Sequence, residues 1–246
     1  MALPPRRLLV IRYTLMAQHF IPARMKHPPF PLLSLDTARN ALLLGELVVF
    51  PTETVYGLGC DALNAEAVAR IFLLKGRSPS MPLPLVAASF EQVAMVAYTP
   101  PKGVRELMDL FWPGPLSLLL PARRDVPDLV TAHTRRVAIR ISPHPAALAL
   151  CRALGRPVVA TSANKSGEPP VASAADLDPD IVAGAAGLYG EGPEPSGGPP
   201  STLAEGAESG GKAVVRLLRV GAIDAQAIRD AGFLVSENHH KTPIKK

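Results

Sequence analysis

The sequence contains little cysteine: only Cys60 and Cys151 occur among its 246 residues. Because they do not form a C-x-x-C pair, a cysteine-based zinc cluster is excluded and a disulfide scaffold is not expected. Long hydrophobic runs are also missing. The apolar stretch at residues 116–120 is interrupted by Ser117 and is far shorter than the roughly 18 residues that span a bilayer. We therefore expect a cytoplasmic protein that does not enter the membrane.

Aromatic residues are scarce as well, at 5% of the chain, and the single tryptophan, Trp112, lies in a Pro-Gly-Pro turn. Few side chains can therefore stack on bases, which argues mildly against an RNA-binding module. The net charge of +5 does not reverse this argument. Residues 1–35 hold five basic residues and no acidic one, which leaves 21 basic and 21 acidic residues in the remainder. Terminal charges are usually solvated, so weak tRNA binding is the less favoured interpretation.

The chain is long enough, and at 48% apolar residues apolar enough, to form one large domain or two small ones. The pattern indicates a single domain at residues 34–223. A basic extension at residues 1–33, expected to be poorly ordered, precedes it, and a helix with a basic tail at residues 224–246 follows. Short apolar runs alternate irregularly with segments of helical period, which favours an α+β (α/β-like) fold with one mixed sheet flanked by helices. The predicted strands are 47–50, 83–87, 116–120, 137–141, 158–161 and 213–218, and the predicted helices are 34–45, 64–75, 90–96, 104–111 and 146–154.

Nucleotide-binding motifs are incomplete. Residues 206–212 match G-x-x-x-x-G-K, but Ala213 replaces the hydroxyl residue that would hold magnesium, and the following segment has the pattern of a strand. We predict a turn there. No complete G-x-G-x-x-G occurs either, so any nucleotide must be bound in another way.

Polar residues follow or interrupt several buried segments. The stretch PTETVYGLG at residues 51–59 is predicted to be a loop between a strand and a helix, either presenting hydroxyls to a ligand or merely satisfying its own backbone. Glu53 in it could be a base or a surface charge. Lys75 and Arg77 end a predicted helix, where the helix dipole alone would stabilise cations. Taken alone, that pair favours a structural interpretation over anion binding.

The stretch TSANKSGEPP at residues 161–170 follows a buried strand with hydroxyls, an amide, a lysine and a glycine. Such groups can bind phosphate or ribose oxygens. Arg140 and Arg219 end two other predicted strands, and a buried sheet would not hold Arg140 without a partner. His133 and His144 lie in proline-flanked loops without zinc-site spacing, and we interpret both as surface histidines.

Several motifs now occur in a familiar order: PTETVYGLG, KGR at residues 75–77, FWPGPLS at 111–117, VAIRISPHP at 137–145, TSANKSGEPP, ST at 201–202 and LLRVG at 217–221. With them, the chain resembles the YrdC/TsaC family of threonylcarbamoyl-AMP synthases over about residues 34–223. The resemblance implies a twisted mixed sheet with a concave, positive cleft. It also implies that L-threonine, bicarbonate and ATP with magnesium react to give threonylcarbamoyl-AMP and pyrophosphate. Partner proteins would then transfer the threonylcarbamoyl group to tRNA.

Matching motif positions give the roles that the resemblance implies. The resemblance implies no tightly bound cofactor and no metal-ligating residue. The catalytic residues would be Lys75, Arg77, Ser162 and Asn164; ATP would be bound by Arg77, Ser162, Asn164 and Arg219; threonine would be bound by Thr52, Thr54, Arg140 and Ser201.

Two alternatives belong to other functional classes. The first is a module of the same fold that binds tRNA or double-stranded RNA without nucleotidyl transfer. The second is the carbamoyltransferase context in which a similar domain serves hydrogenase maturation. That context requires cysteine-rich zinc modules, which this chain lacks.

Overall fold

The computed structural model describes residues 30–209 and 212–236. Residues 1–29 of the predicted basic extension and the lysines of the predicted tail lie outside them. The helices are α1 (Leu35–Leu43), α2 (Ala65–Lys75), α3 (Phe90–Val96), α4 (Lys102–Phe111), α5 (Asp128–Thr131), α6 (Pro145–Leu154), α7 (Pro179–Ala183) and α8 (Ala225–Asp230). The strands are β1 (Val48–Pro51), β2 (Tyr56–Gly59), β3 (Leu85–Ala87), β4 (Leu116–Pro121), β5 (Arg136–Ile141), β6 (Val158–Val159), β7 (Thr161–Ser162), β8 (Thr202–Ser209), β9 (Lys212–Arg219) and β10 (Leu234–Ser236).

The main sheet has seven strands in the order β10-β9-β8-β4-β5-β3-β6. Parallel and antiparallel pairs alternate across it: β10 with β9, β8 with β4, and β5 with β3 are parallel, and the other neighbours are antiparallel. This confirms the predicted mixed sheet flanked by helices. The hairpin of β8 and β9 places Ser209 opposite Lys212, so the turn predicted in place of a phosphate loop is also confirmed.

A second, smaller sheet was not predicted. Its order is β1-β2-β7, and β1 and β2 form an antiparallel hairpin. The prediction that residues 51–59 form one loop is therefore wrong, since only residues 52–55 form the turn. The predicted strand at 158–161 is also split at Ala160: β6 belongs to the main sheet and β7 to the small one.

The predicted helix ends are confirmed for α1 and α2. The Ser34 hydroxyl accepts a hydrogen bond from Thr37 N, and the Asn64 side chain accepts from Glu66 N and Ala67 N. Gly76 ends α2 in the left-handed conformation that glycine adopts without strain. Helices α5 and α7 and strand β10 were not predicted, because each has at most five residues and shows no full period of its pattern.

The chain already joins the fold before residue 34. Leu33 N donates to Leu188 O at 2.8 Å, and Leu188 N donates to Pro31 O at 2.9 Å. Residues 31–33, which we had placed in the basic extension, therefore pair with the domain. In the described part of the chain, no helix is long and apolar enough to cross a membrane.

The two faces of the main sheet are covered differently. Leu118 on β4 and Ile139 on β5 face the larger apolar core. On the opposite face, Val86 of β3 and Val158 of β6 join a smaller core with residues of α1 and α6, such as Leu150. Along β5, β4 and β9 this second face carries polar side chains among apolar ones, namely Arg140, Ser117 and Arg219. The candidate site lies there.

Candidate functional site

The strand register aligns two arginines and a serine in one row across the open part of the sheet. Leu118 pairs with Ile139, which places Ser117 level with Arg140 one step further along both strands. Ser117 pairs with Leu203, and Leu203 pairs with Arg219. Paired residues of neighbouring strands point to the same face of a sheet, so this row crosses β5, β4, β8 and β9 on one face.

Arg140 is buried and forms an ion pair with a glutamate of the β1–β2 turn. Its Nε donates to Glu53 Oε1 at 2.7 Å, and the Ser142 hydroxyl donates to Glu53 Oε2 at 2.6 Å. Burial alone would raise the pKa of Glu53, but the charge and hydrogen bonds of Arg140 and Ser142 keep that pKa below its usual value. The expectation that Arg140 needs a partner is confirmed. Neither interpretation of Glu53 was right, because it is neither a surface charge nor a proton acceptor poised near neutral pH.

The two threonines of the turn are also buried. The Thr52 hydroxyl donates to Val55 O at 2.7 Å, and it lies 3.5 Å from the Thr54 hydroxyl. The Thr52 hydroxyl thus closes the turn. For this residue the structure supports the interpretation in which the hydroxyl satisfies its own backbone. Thr54, which follows Glu53 in the same turn, lies beside Thr52.

Ser201 and Arg219 meet at the far end of the row. The Ser201 hydroxyl is 3.1 Å from the Ser117 hydroxyl, and Arg219 Nη2 donates to Ser201 O at 2.8 Å. Burial lowers the pKa of Arg219, and the charge of Arg140 lowers it further, so the two arginines act on each other. We call Thr52, Thr54, Arg140, Ser201 and Arg219 the Arg140 group.

Lys75 is the last residue of α2 and lies against β7, with 3% of its surface exposed. Its Nζ donates to Ser162 O at 2.5 Å and also to Asn164 O. Burial and the nearby Arg77 charge lower the pKa of Lys75 to about 8, although Glu168 opposes the shift. The ammonium group therefore holds the backbone at the C-terminal end of β7 and stays charged up to about that pH. We call Lys75, Arg77, Ser162 and Asn164 the Lys75 group.

Arg77 and Asn164 both donate hydrogen bonds to backbone carbonyl groups. Arg77 Nη2 donates to Pro82 O at 2.8 Å, and its Nε donates to Met81 O at 3.3 Å. Asn164 Nδ2 donates to Lys165 O and Glu168 O, at 3.0 and 2.6 Å. Each side chain thus orders a neighbouring loop, whatever else it binds.

Strand β2 connects the two groups. Gly57 on β2 pairs with Ser162 on β7, and Ala163 N donates to Tyr56 O at 2.9 Å. Thr54 precedes Tyr56 by two residues. Strand β2 therefore links the two groups: its partner β7 holds the Ser162 that Lys75 contacts, and the turn before it holds the Glu53 that Arg140 contacts.

One residue near the site was misread. His144 is not a surface histidine: it is 4% exposed, its Nδ1 accepts from Ala146 N at 3.2 Å, and its Nε2 donates to Pro193 O at 2.9 Å. Burial lowers its pKa, while the bond to Pro193 and the Glu53 charge oppose that shift. His133, by contrast, is exposed as predicted and lies 3.9 Å from an Asp128 oxygen.

Through Pro193, His144 holds the loop at residues 190–198. The same loop contacts the β1–β2 turn: the Ser196 hydroxyl donates to Glu53 O at 2.7 Å, and Gly197 N donates to Thr54 O at 3.0 Å. Glycine and proline in such numbers are typical of surface loops, and nothing in the sequence of this segment indicated these contacts.

The cleft therefore offers cations, hydroxyls and backbone groups, a donor set that suits oxyanions. Among residues 30–209 and 212–236, no group of three or more histidine, cysteine, aspartate or glutamate residues could hold a metal ion. A magnesium ion bound to a phosphate chain would fit this arrangement, since it keeps water and phosphate oxygens as ligands and requires few protein carboxylates.

Comparison with known proteins gives a consistent result. A family model named Sua5_yciO_yrdC, described as "Telomere recombination", matches residues 40–221. A threonylcarbamoyl-AMP synthase of Pyrococcus abyssi is 47% identical over 137 residues, which are 56% of this chain and 40% of that protein. Another of the same name from Nitrosococcus oceani is 44% identical over 126 residues, 51% of this chain and 68% of that protein.

Solved structures agree. The crystal structure of P. abyssi Sua5 complexed with L-threonine is 36% identical, with a TM-score of 0.73, and the match covers 84% of this chain and 61% of that one. E. coli YciO, at 22% identity and a TM-score of 0.64, shares the fold; the match covers 78% of this chain and 91% of that one. The matches thus span less than two thirds of the P. abyssi proteins, 40% in sequence and 61% in structure.

Proposed function

This chain belongs to the Sua5/YciO/YrdC family, and from that membership we propose that it is an L-threonylcarbamoyladenylate synthase. It would convert L-threonine, bicarbonate and ATP into threonylcarbamoyl-AMP and pyrophosphate, a nucleotidyl transfer. The observation that supports the proposal is the charge of the predicted site residues: of the four cations Lys75, Arg77, Arg140 and Arg219, only Arg140 has a carboxylate within ion-pair distance among the described residues. A polyanionic substrate would balance them.

The division of the site into two groups supports a division of substrates. The Lys75 group would bind the phosphates and ribose of ATP, and Arg219 would reach the same nucleotide from the other side. Thr54, Arg140 and Ser201 would bind threonine; Thr52 would act by holding the turn in shape. A crystal structure of the P. abyssi relative contains L-threonine, which makes threonine the first amino acid to test.

The chemistry needs positioning and charge neutralisation more than a covalent nucleophile. The carbamate of threonine attacks the α-phosphate, and charge grows on pyrophosphate as it leaves. Cations fixed in advance, such as Lys75 between two carbonyls, stabilise that charge without reorganising. Magnesium would enter bound to ATP and neutralise further phosphate charge.

The product would pass to proteins that transfer the threonylcarbamoyl group to tRNA, and the setting would be the cytoplasm. Direct tRNA binding is not required for this step. With no tightly bound cofactor proposed, the purified chain should be active once ATP, magnesium, threonine and bicarbonate are supplied.

The test is incubation of the purified chain with α-labelled ATP and magnesium, leaving out threonine or bicarbonate in turn. We expect pyrophosphate and a labelled adenylate only when both are present. Arg77→Ala should abolish turnover while the circular dichroism spectrum stays unchanged. Pyrophosphate release that ignores both omissions would contradict the proposal, as would full activity of the Arg77 variant.

A further inference from the structure

We propose that Glu194 is a positioning residue for the amino-acid substrate, because its carboxylate holds the 190–198 loop in the place where that loop fixes the β1–β2 turn. The inference rests on the proposed function and adds to it a residue that belongs to neither group of the site. Glu194 acts without touching threonine. It acts through the backbone of the turn that carries Glu53 and Thr54, and so sets the affinity for threonine.

The first observation is that the 190–198 loop does not fix its own shape. No helix or strand of the described chain includes these residues, and Gly192, Gly197 and Gly198 all have positive φ. Glycine has more backbone freedom than any other residue, so a segment of this composition keeps one conformation only where outside contacts hold it. Pro195 is nevertheless buried, while Glu194 and Ser196 on either side of it are exposed. The loop is therefore held against the domain by its contacts.

The second observation is where the loop contacts the β1–β2 turn. The hydroxyl and the amide of Ser196 both donate to Glu53 O, at 2.7 and 3.4 Å, and Gly197 N donates to Thr54 O at 3.0 Å. These carbonyls belong to the residue that orients Arg140 and to a proposed threonine contact. Ser201, another proposed threonine contact, follows the loop three residues later in the chain. A shift of the loop would therefore move the threonine side of the site.

The third observation is the bond that Glu194 makes. Its Oε1 accepts from Ala174 N at 3.0 Å, and the Ser173 hydroxyl donates to the same oxygen at 3.4 Å. Ala174 begins a short 3-10 helix (Ala174–Asp176), and the first amide of a helix has no partner within it. Ala174 and Leu177 are buried in the larger core, so the carboxylate joins the loop to a fixed part of the domain. Burial raises the pKa of Tyr56, and the charge of Glu194 raises it further, which places the carboxylate near the start of β2 as well.

The Lys75 group does not depend on this loop. The segment after β7 is held by its own bonds: Lys75 Nζ donates to Ser162 O at 2.5 Å, and Ser166 N donates to Lys75 O at 2.9 Å. Within the part of the chain that the structure describes, no residue of the 190–198 loop forms a hydrogen bond with a member of the Lys75 group. Release of the loop should therefore weaken the binding of threonine and leave the binding of ATP unchanged.

The test measures initial rates of adenylate formation at varied threonine and at varied ATP. For Glu194→Ala we expect the KM for threonine to rise about fivefold, the effect of one hydrogen bond, with kcat and the KM for ATP unchanged. Glu194→Gln keeps an amide oxygen of the same reach that can accept from Ala174 N, so it should restore most of the threonine affinity. A wild-type KM for threonine in Glu194→Ala would overturn the inference. Equal losses in the Gln and Ala variants would also overturn it, because they would show that the charge acts on the substrate directly.

The matched control is Glu208→Ala. Glu208 is also an exposed glutamate, and its Oε2 accepts from Gly103 N, in the first turn of α4, at 3.4 Å. It lies toward the other end of β8, about 20 Å along the strand from Ser201. This variant should leave both KM values unchanged, whatever it does to stability. An equal rise in the KM for threonine would assign the effect to a general loss of stability, and the inference would be wrong.

Two measurements need no turnover. Hydrogen exchange should show faster exchange of the Ser196 and Gly197 amides in Glu194→Ala than in the wild type, and equal rates would contradict the role of Glu194 in holding the loop. Calorimetry measures threonine binding directly. If the wild type binds threonine, Glu194→Ala binds it about fivefold more weakly and neither makes adenylate, the inference stands and the proposed function fails. If both make adenylate with equal threonine affinity, the proposed function stands and the inference fails; if the wild type binds no threonine, both fail.

Discussion

The Lys75 group lies against the end of β7 and the Arg140 group against the β1–β2 turn, and they are held in opposite ways. Lys75 has no carboxylate within ion-pair distance among the described residues, and its ammonium is anchored by the carbonyls of Ser162 and Asn164. Arg140 is anchored by a full ion pair with Glu53, completed by Ser142. The first arrangement leaves a net positive charge facing the cleft. The second neutralises the charge while fixing its direction.

This difference indicates which kind of ligand each group is suited to bind. A cation without a carboxylate partner suits an anion of high charge such as a triphosphate, because no charge within the protein neutralises it. A cation already paired suits recognition by shape, because its fork is held in one plane. Three perturbations test the comparison.

The largest effect should come from breaking the buried pair. Glu53→Ala leaves Arg140 buried without its partner, and removing one member of such a pair costs about 3–5 kcal/mol. We expect that loss in the free energy of unfolding measured by urea denaturation. Asp109→Ala is the control, because the Arg105–Asp109 pair is about half exposed and such pairs contribute about 0–1 kcal/mol. Equal losses in both variants would contradict the interpretation that Arg140 depends on a buried ion pair.

The Lys75 group should show its uncompensated charge in the pH dependence of ATP binding. Below about pH 8 the ammonium is intact, and as the pH rises through that value the proton is lost. Because ATP favours the charged form, its affinity should be highest below pH 8 and fall above it, by about tenfold to a hundredfold, the range for a charged hydrogen bond. Calorimetric titration on both sides of pH 8 measures this. Lys75→Met should bind weakly with no such fall; a parallel fall in that variant would assign the titration to another group.

The smallest effect should come from removing the hydrogen bond between His144 and Pro193, which holds the 190–198 loop next to the β1–β2 turn. In His144→Asn, the amide oxygen can still accept from Ala146 N, but the side chain is too short to reach Pro193 O. The loss of one hydrogen bond costs about 1 kcal/mol, and the KM for threonine should rise with the KM for ATP unchanged. His144→Gln, which is longer, should restore part of the threonine affinity. An altered KM for ATP alone would place the 190–198 loop on the other side of the cleft.

The sequence predicted the parts of this fold that repeat a pattern long enough to recognise. The helix starts at residues 34 and 64 and the strands around Leu118 and Ile139 were all visible in it. The hairpin at residues 48–59 was not, because the two glycines of YGLG are unfavourable in strands and argued for a loop. Gly59 held a signal nonetheless: a Cβ there would lie 2.4 Å from Val159 O, and a glycine within a strand often marks such an approach.

The sequence predicted which residue types form the site better than it predicted which residues contact one another. The expected partner of Arg140 followed from the cost of burying an unpaired charge, yet its identity depends on a contact 87 positions away in the chain. His144 was misjudged because flanking prolines are typical of loops, while its ring is buried by a segment 49 positions further on. Contacts at such distances are set by tertiary packing, which local pattern does not encode.

The single residue Ala160 lies between β6 of the main sheet and β7 of the small one. Its amide donates to Pro84 O, and that of Val159 donates to Cys60 O, both at 2.9 Å. The two sheets therefore share a continuous piece of hydrogen-bonded backbone, and neither can separate while the other stays intact. Melting should then be cooperative, so that both sides of the cleft persist up to the same temperature and vanish together.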